Sequence, residues 1–130
     1  MSVLEQALYT RLTGYAGLSA LVSSRIYADR LPQNPTLPAL TYQRISREPW
    51  ESLSASDGVE DAGIQIDVWA STVSSRSSVT VQVLAALKRQ TWTEDGIAVL
   101  DAFIESDITQ FDPDVSLYRE TLDMKVVHRE

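Results

Sequence analysis

Apolar residues recur with two different periods along this chain, and the switches between them divide it into segments. Leu4, Leu8 and Leu12 are spaced by four, which lays one apolar stripe along a helix. Ser2-Val3-Leu4-Glu5 opens that helix in the pattern of a capping box, and Gly14 stands where it would stop. A second short helical piece through Leu18–Val22 and a short extended piece at Arg25-Ile26-Tyr27 follow. In "LPQNPTLPALTYQRIS", Leu31–Ser46, prolines at 32, 35 and 38 lead into a two-residue alternation of Leu40, Tyr42 and Arg44 against Thr41 and Gln43. The alternation predicts a strand. The prolines lack amide donors and bias their predecessors toward extended backbone, so they stiffen the approach to it. Pro49 marks an edge or the end of this strand.

Trp50–Gly63, "WESLSASDGVEDAG", carries serines, acids and the Asp57-Gly58 turn signal, and reads as a loop. "IQIDVWA" then alternates strictly: Ile64, Ile66, Val68 and Ala70 face one way, Gln65, Asp67 and Trp69 the other. The two strands make a long hairpin around the loop. Ser74–Ser78 can cap a helix running to about Arg89, whose apolar stripe is Val79, Val83 and Leu87 with Ala86 beside it. Lys88 and Arg89 stand at its C-terminal end, where cations suit the dipole. Asp95-Gly96 predicts a turn, "IAVLDAFIES" fits a helix and a buried strand alike, and Phe111–Asp114 predicts another turn. "YRETLDMKVVHRE" closes the chain as a strand, with Leu122, Met124 and Val126 alternating against Thr121, Asp123 and Lys125. The predicted order is helix, hairpin, helix, hairpin. It implies an α+β domain over residues 1–130, an antiparallel sheet of about four strands with two helices packed on one face, and a mobile hairpin loop at 50–63.

Composition narrows the function more than the fold. With 130 residues, 44% of them hydrophobic, the chain is sized for one core. No apolar run approaches the roughly 20 residues of a membrane span, and "MSVLEQALYTRL" lacks the basic start of a signal peptide. There are no cysteines, so disulfides and thiolate metal sites are excluded. A net charge of −7 without a basic stripe argues against tight nucleic-acid binding. His128, the one histidine, sits next to the C-terminus among charges, a poor place for the held imidazole that a serine nucleophile needs. The loop and cap serines therefore have no base. Asp57, Glu60 and Asp61 cluster in the predicted loop, and Asp112 and Asp114 flank Pro113, but neither set has the glycine and ligand spacing of a calcium loop. No phosphate-binding or dinucleotide fingerprint occurs. The expectation is no catalytic, cofactor or metal site; a small hydrolase using loop carboxylates stays as an alternative, weakened by the missing base. Two tryptophans carry weight instead. Trp69 projects from the face of its strand opposite the isoleucines, and Trp50 stands at the mouth of the loop; both are candidate assembly contacts, with Asp57, Glu60 and Asp61.

The segment "LEQALYTRLTGYAGLSALVSSRIY" followed by "LPQNPTLPALTYQRIS" resembles the tail-completion (tail-terminator) proteins of long-tailed bacteriophages. The residues that carry the likeness are Leu18, Leu21, Val22, Arg25, Ile26, Tyr27, Pro32, Pro38, Leu40, Tyr42 and Ile45, with "IQIDVWA", "VTVQVLAALK" and "YRETLDMKV" following in the expected order. The resemblance implies a non-enzymatic virion subunit, assembled in the host cytoplasm and carried at the head-proximal end of the tail. Its implied partners are further copies of itself in a ring, commonly of six, the tail tube protein and the head connector protein. DNA would pass through without specific binding. A head–tail connector adaptor of the same virion is the alternative reading.

Overall fold

The computed structural model describes residues 3–49 and 59–129; Trp50, Asp57 and the Ser2 cap lie outside them. The elements are α1 (Val3–Gly14), α2 (Ala16–Val22), β1 (Ile26–Ala28), β2 (Ala39–Pro49), β3 (Val59–Ala70), α3 (Val73–Leu87), β4 (Trp92–Glu94), β5 (Ile97–Asp112) and β6 (Leu117–Arg129). The strands form a six-stranded sheet in the order β1-β2-β3-β6-β5-β4. The α+β class and the helix–hairpin–helix–hairpin frame hold, with β2–β3 and β5–β6 as the two antiparallel hairpins.

The predicted count of about four strands and two helices is too low. Two three-residue strands, β1 and β4, extend the sheet at its edges, and α2 is a third helix. β1 runs parallel to β2, so the sheet is not wholly antiparallel. The short helical piece at Leu18–Val22 and the extended piece at Arg25–Tyr27 are elements in their own right, α2 and β1; β4, with three residues, presents too few side chains to show a period. β3 starts at Val59, so Val59–Gly63, expected as loop, is strand; Glu60 and Asp61 are laddered to His128 and Val127 on β6. The ambiguous 97–106 stretch belongs to β5, and Phe111 and Asp112 complete that strand before a turn at 113–116.

One apolar cluster lies between the sheet and the helices. Leu4, Leu8 and Leu12 of α1, Leu18 and Val22 of α2, and Val79, Val83, Ala86 and Leu87 of α3 pack on Leu40, Tyr42, Ile64, Ile66, Val68, Leu122, Met124 and Val126. These are the stripes that the sequence periods define. Thr72, not the serine run, caps α3: its side chain accepts the Ser75 amide. Arg11 ties α1 to α3 by donating to the Ala86 carbonyl at 3.0 Å, and its guanidinium lies against the Tyr15 and Trp92 rings. The β4–β5 turn is Asp95-Gly96, both residues at positive φ (51° and 81°), the two-residue geometry that a right-twisted hairpin favours.

The proline segment is held at its exit. Arg25 Nε donates to the Pro38 carbonyl at 2.9 Å, and the Leu40 amide donates to the Arg25 carbonyl at 3.0 Å. Further back, Asn34, Pro35 and Leu37 share one surface depression with Val115 and Leu117 at the β5–β6 turn. The prolines thus set a segment beside that hairpin as well as the start of β2.

Candidate assembly surface

The side of the sheet away from the helices carries an ordered polar network centred on Asp67. Strand alternation puts Asp67, Trp69, Thr41, Arg119 and Thr121 on this side, because their neighbours Leu40, Ile66, Val68, Glu120 and Leu122 point to the helices. Asp67 is only 6% exposed. It accepts hydrogen bonds from Arg119 Nε at 3.1 Å, Thr121 Oγ1 at 2.5 Å and Gln65 Nε2 at 3.1 Å. Arg119 lies over the Trp69 ring, and Trp69 Nε1 donates to Thr41 Oγ1 at 3.0 Å. A buried carboxylate with three donors is a satisfied group, so the network fixes side-chain positions on this face.

Next to it, the outer half of the β5–β6 hairpin is open to solvent. From Asp107 to Ser116 every residue is exposed, and three are large and apolar: Ile108 (52%), Phe111 (48%) and Val115 (58%). Trp69, Arg119, Gln110, Phe111, Asp112 and Pro113 together line a shallow depression where the network meets the hairpin. On the helix side, the base of the hairpin is fixed to α3. Thr80 Oγ1 donates to Glu120 Oε1 at 3.0 Å, and Arg76 lies 3.8 Å from the same oxygen, too far for a hydrogen bond. Arg76 also stacks on Tyr118, which packs on Phe111 with ring centres 4.7 Å apart. Burial, reinforced by a hydrogen bond with Asp107, raises the Glu120 carboxyl above its ordinary value.

The candidate residues do not form one patch. Trp69 belongs to the network and is half-buried by contacts within its own chain. Glu60 and Asp61 lie at the other end of β3, roughly 30 Å away along the strand at ordinary rise. They also face opposite sides. Glu60 Oε2 sits 3.2 Å from Arg47 Nε and 3.5 Å from His128 Nε2. Asp61 is opposite Val127 and has a buried oxygen without a hydrogen-bond partner among the described residues. His128 is only 4% exposed, more enclosed than its place in the sequence suggests, because β6 stays paired to Arg129. No hydroxyl is bonded to it among the described residues, and its Nδ1 has no partner there. No group of three or more His, Asp or Glu residues suited to a metal occurs among the described residues. No described helix is long and apolar enough to cross a membrane.

The hairpin surface was not singled out from sequence. Its signal is the run "DITQFDPDV", in which apolar residues are bracketed by acids instead of continuing the core alternation.

Strong packing on one sheet side, a satisfied polar network on the other and an apolar-tipped hairpin define a subunit that presents surfaces. The chain belongs to the tail completion protein gp17 family, whose model matches residues 6–129. It is a structural protein of phage-type tails. A solved chain described as "Virion of native gene transfer agent (GTA) particle" has the same fold, with a TM-score of 0.73 at 17% identity over 98% of this chain and 95% of that one. A second solved chain superposes with a TM-score of 0.60 at 15% identity, covering 99% and 95%. No curated protein matches the sequence.

Proposed function

We propose that this protein caps the finished tail tube as a ring, ends tube polymerisation and presents the docking surface for the head connector. Family membership over residues 6–129 carries the reading. The exposed β5–β6 hairpin supports it by offering apolar contacts on a rigidly held arm. Trp69 supports it as the floor of the depression beside that arm. Trp50 and Asp57 are retained as contacts on their sequence alone, with Glu60 and Asp61 at the start of β3, directly after the 50–58 connection. The acidity suits a ring that lets DNA pass: six copies at −7 would carry about −42, which repels phosphate wherever it faces the lumen.

The test is tube growth in vitro. Tail tube protein polymerised with a small amount of this chain should give tubes that stop at a set length, while tubes without it continue. Unchanged elongation would overturn the capping role. Binding to portal complexes with no effect on tubes would favour the connector adaptor.

A further inference from the structure

The two long strands at the flanks of the sheet are each left half without a neighbour. β1 pairs with Leu40–Tyr42 only, and the Asp29 amide takes the Tyr42 carbonyl, so β2 has no outer partner among the described residues from Gln43 to Pro49. On the opposite flank β4 pairs with Ile97–Val99 only, and the Arg89 amide takes the Ala102 carbonyl. From Phe103 to Asp112, β5 is likewise open among the described residues. Such edges are normally shortened, charged inward or interrupted by proline, because they template pairing. The β5 edge has no proline, and Ile108 and Phe111 stand exposed on it; the β2 edge exposes Ile45 and carries its one proline, Pro49, only at its last residue.

We propose that the β2 edge of one copy pairs with the β5 edge of the next, so that neighbouring subunits share one continuous antiparallel sheet; this rests on the ring reading above. Three observations select this partner. First, β2 and β5 run in opposite directions within the sheet, so a second copy set beside the first with its strands alike in direction meets it antiparallel; Gln43–Ser46 is level with Phe103–Ser106, so these open residues face each other directly and a stagger along the strands lengthens the overlap. Second, the charges are complementary. The open part of β5 carries Glu105, Asp107 and Asp112 and no base, whereas the open part of β2 carries Arg44 and Arg47 against Glu48; within the chain Arg44 already pairs with Glu5, Arg47 with Glu60 and Glu105 with Lys125, so the free complement is the net sign of the two edges. Like-edge pairing would set the β5 acids against each other. Third, the two edges are different surfaces on opposite flanks, so the contact is head-to-tail, the kind that closes into rings when the rotation allows. The bulges at Arg44/Ser46 and Ile104/Ser106 lie within the two open segments, where they bend the strands that a closed ring must curve.

The absence of native cysteine makes the pairing directly testable. Glu48→Cys on β2 is combined in one chain with Glu105→Cys, Thr109→Cys or Asp112→Cys on β5, all exposed positions. Each variant is treated with a short bis-maleimide, alone and after mixing with tail tubes. At least one double variant should give a ladder of linked chains ending in a closed species, and the single variants should give no dimer. Adding Ile108→Lys to that double variant should abolish the ladder while the folded circular dichroism spectrum persists. Dimers from a single variant would mean that like edges meet, and would overturn the proposal. Rings or tube caps visible by electron microscopy without any ladder would overturn the pairing and leave the ring intact. Chains that assemble neither alone nor on tubes would overturn both.

Discussion

Arg119 and Trp69 stand opposite each other on β6 and β3, with the guanidinium carbon 4.8 Å from the ring centre. The same guanidinium reaches Asp67 at 3.1 Å, so one arginine covers an aromatic ring and neutralises a buried acid. A tryptophan on a sheet side that carries no helix is thereby kept partly dry within the subunit.

Asp67→Ala should therefore cost about 1–3 kcal/mol, since it leaves Arg119, Thr121 and Gln65 without their common acceptor. Urea unfolding of the variant measures it. A loss within about 0.5 kcal/mol, the usual range of surface substitutions, would mean that the network is incidental.

Ile66 is 1% exposed at the centre of the cluster. Ile66→Ala should cost about 2–5 kcal/mol, from lost burial and the cavity left behind. A change below about 1 kcal/mol would contradict the packing of β3 against the helices.

Glu120 gives a pH signature. Its folded carboxyl titrates above the ordinary 4.5, chiefly because it is buried. The folded state therefore holds the proton more tightly than the unfolded chain does. The stability tied to that proton is fully present below the unfolded value and is lost as pH rises through the folded one. Glu120→Gln removes this dependence, so the stability of the variant relative to the parent should rise across that window. Parallel unfolding curves at acid and neutral pH check it; a constant difference would contradict the assigned environment.

Phe111 is exposed on the hairpin and touches Tyr118. Phe111→Ser should change stability by less than about 1 kcal/mol, as surface substitutions do, yet weaken arrest of tube growth. Full activity in that assay would remove the hairpin tip from the docking surface.

The long elements were legible because each carries a clean period: the leucines of α1, the valines of α3, the alternation of β3 and β6. Of the short edge strands, β1 showed only as an extended piece at Arg25–Tyr27 and β4 did not show at all, having only three residues each. β5 was ambiguous because its bulges at Val99/Asp101 and Ile104/Ser106 break the two-residue alternation, so Ile97, Leu100 and Ile104 mimic helical spacing. Glu60 and Asp61 read as loop acids since polar residues at strand ends look the same in sequence. Trp69 was placed on the correct side of β3 by alternation alone, whereas its partners Thr41 and Arg119 come from strands distant in sequence. Unpaired edges depend on where neighbouring strands stop, which no local pattern records.

The most direct measurement for the central claim is electron microscopy of tails assembled with an affinity-labelled form of this chain. The account predicts a ring of label at the head-proximal end of every finished tail, with unlabelled, overlong tubes when the chain is withheld. Label along the tube or at its distal end, or tails of normal length without the protein, would contradict it.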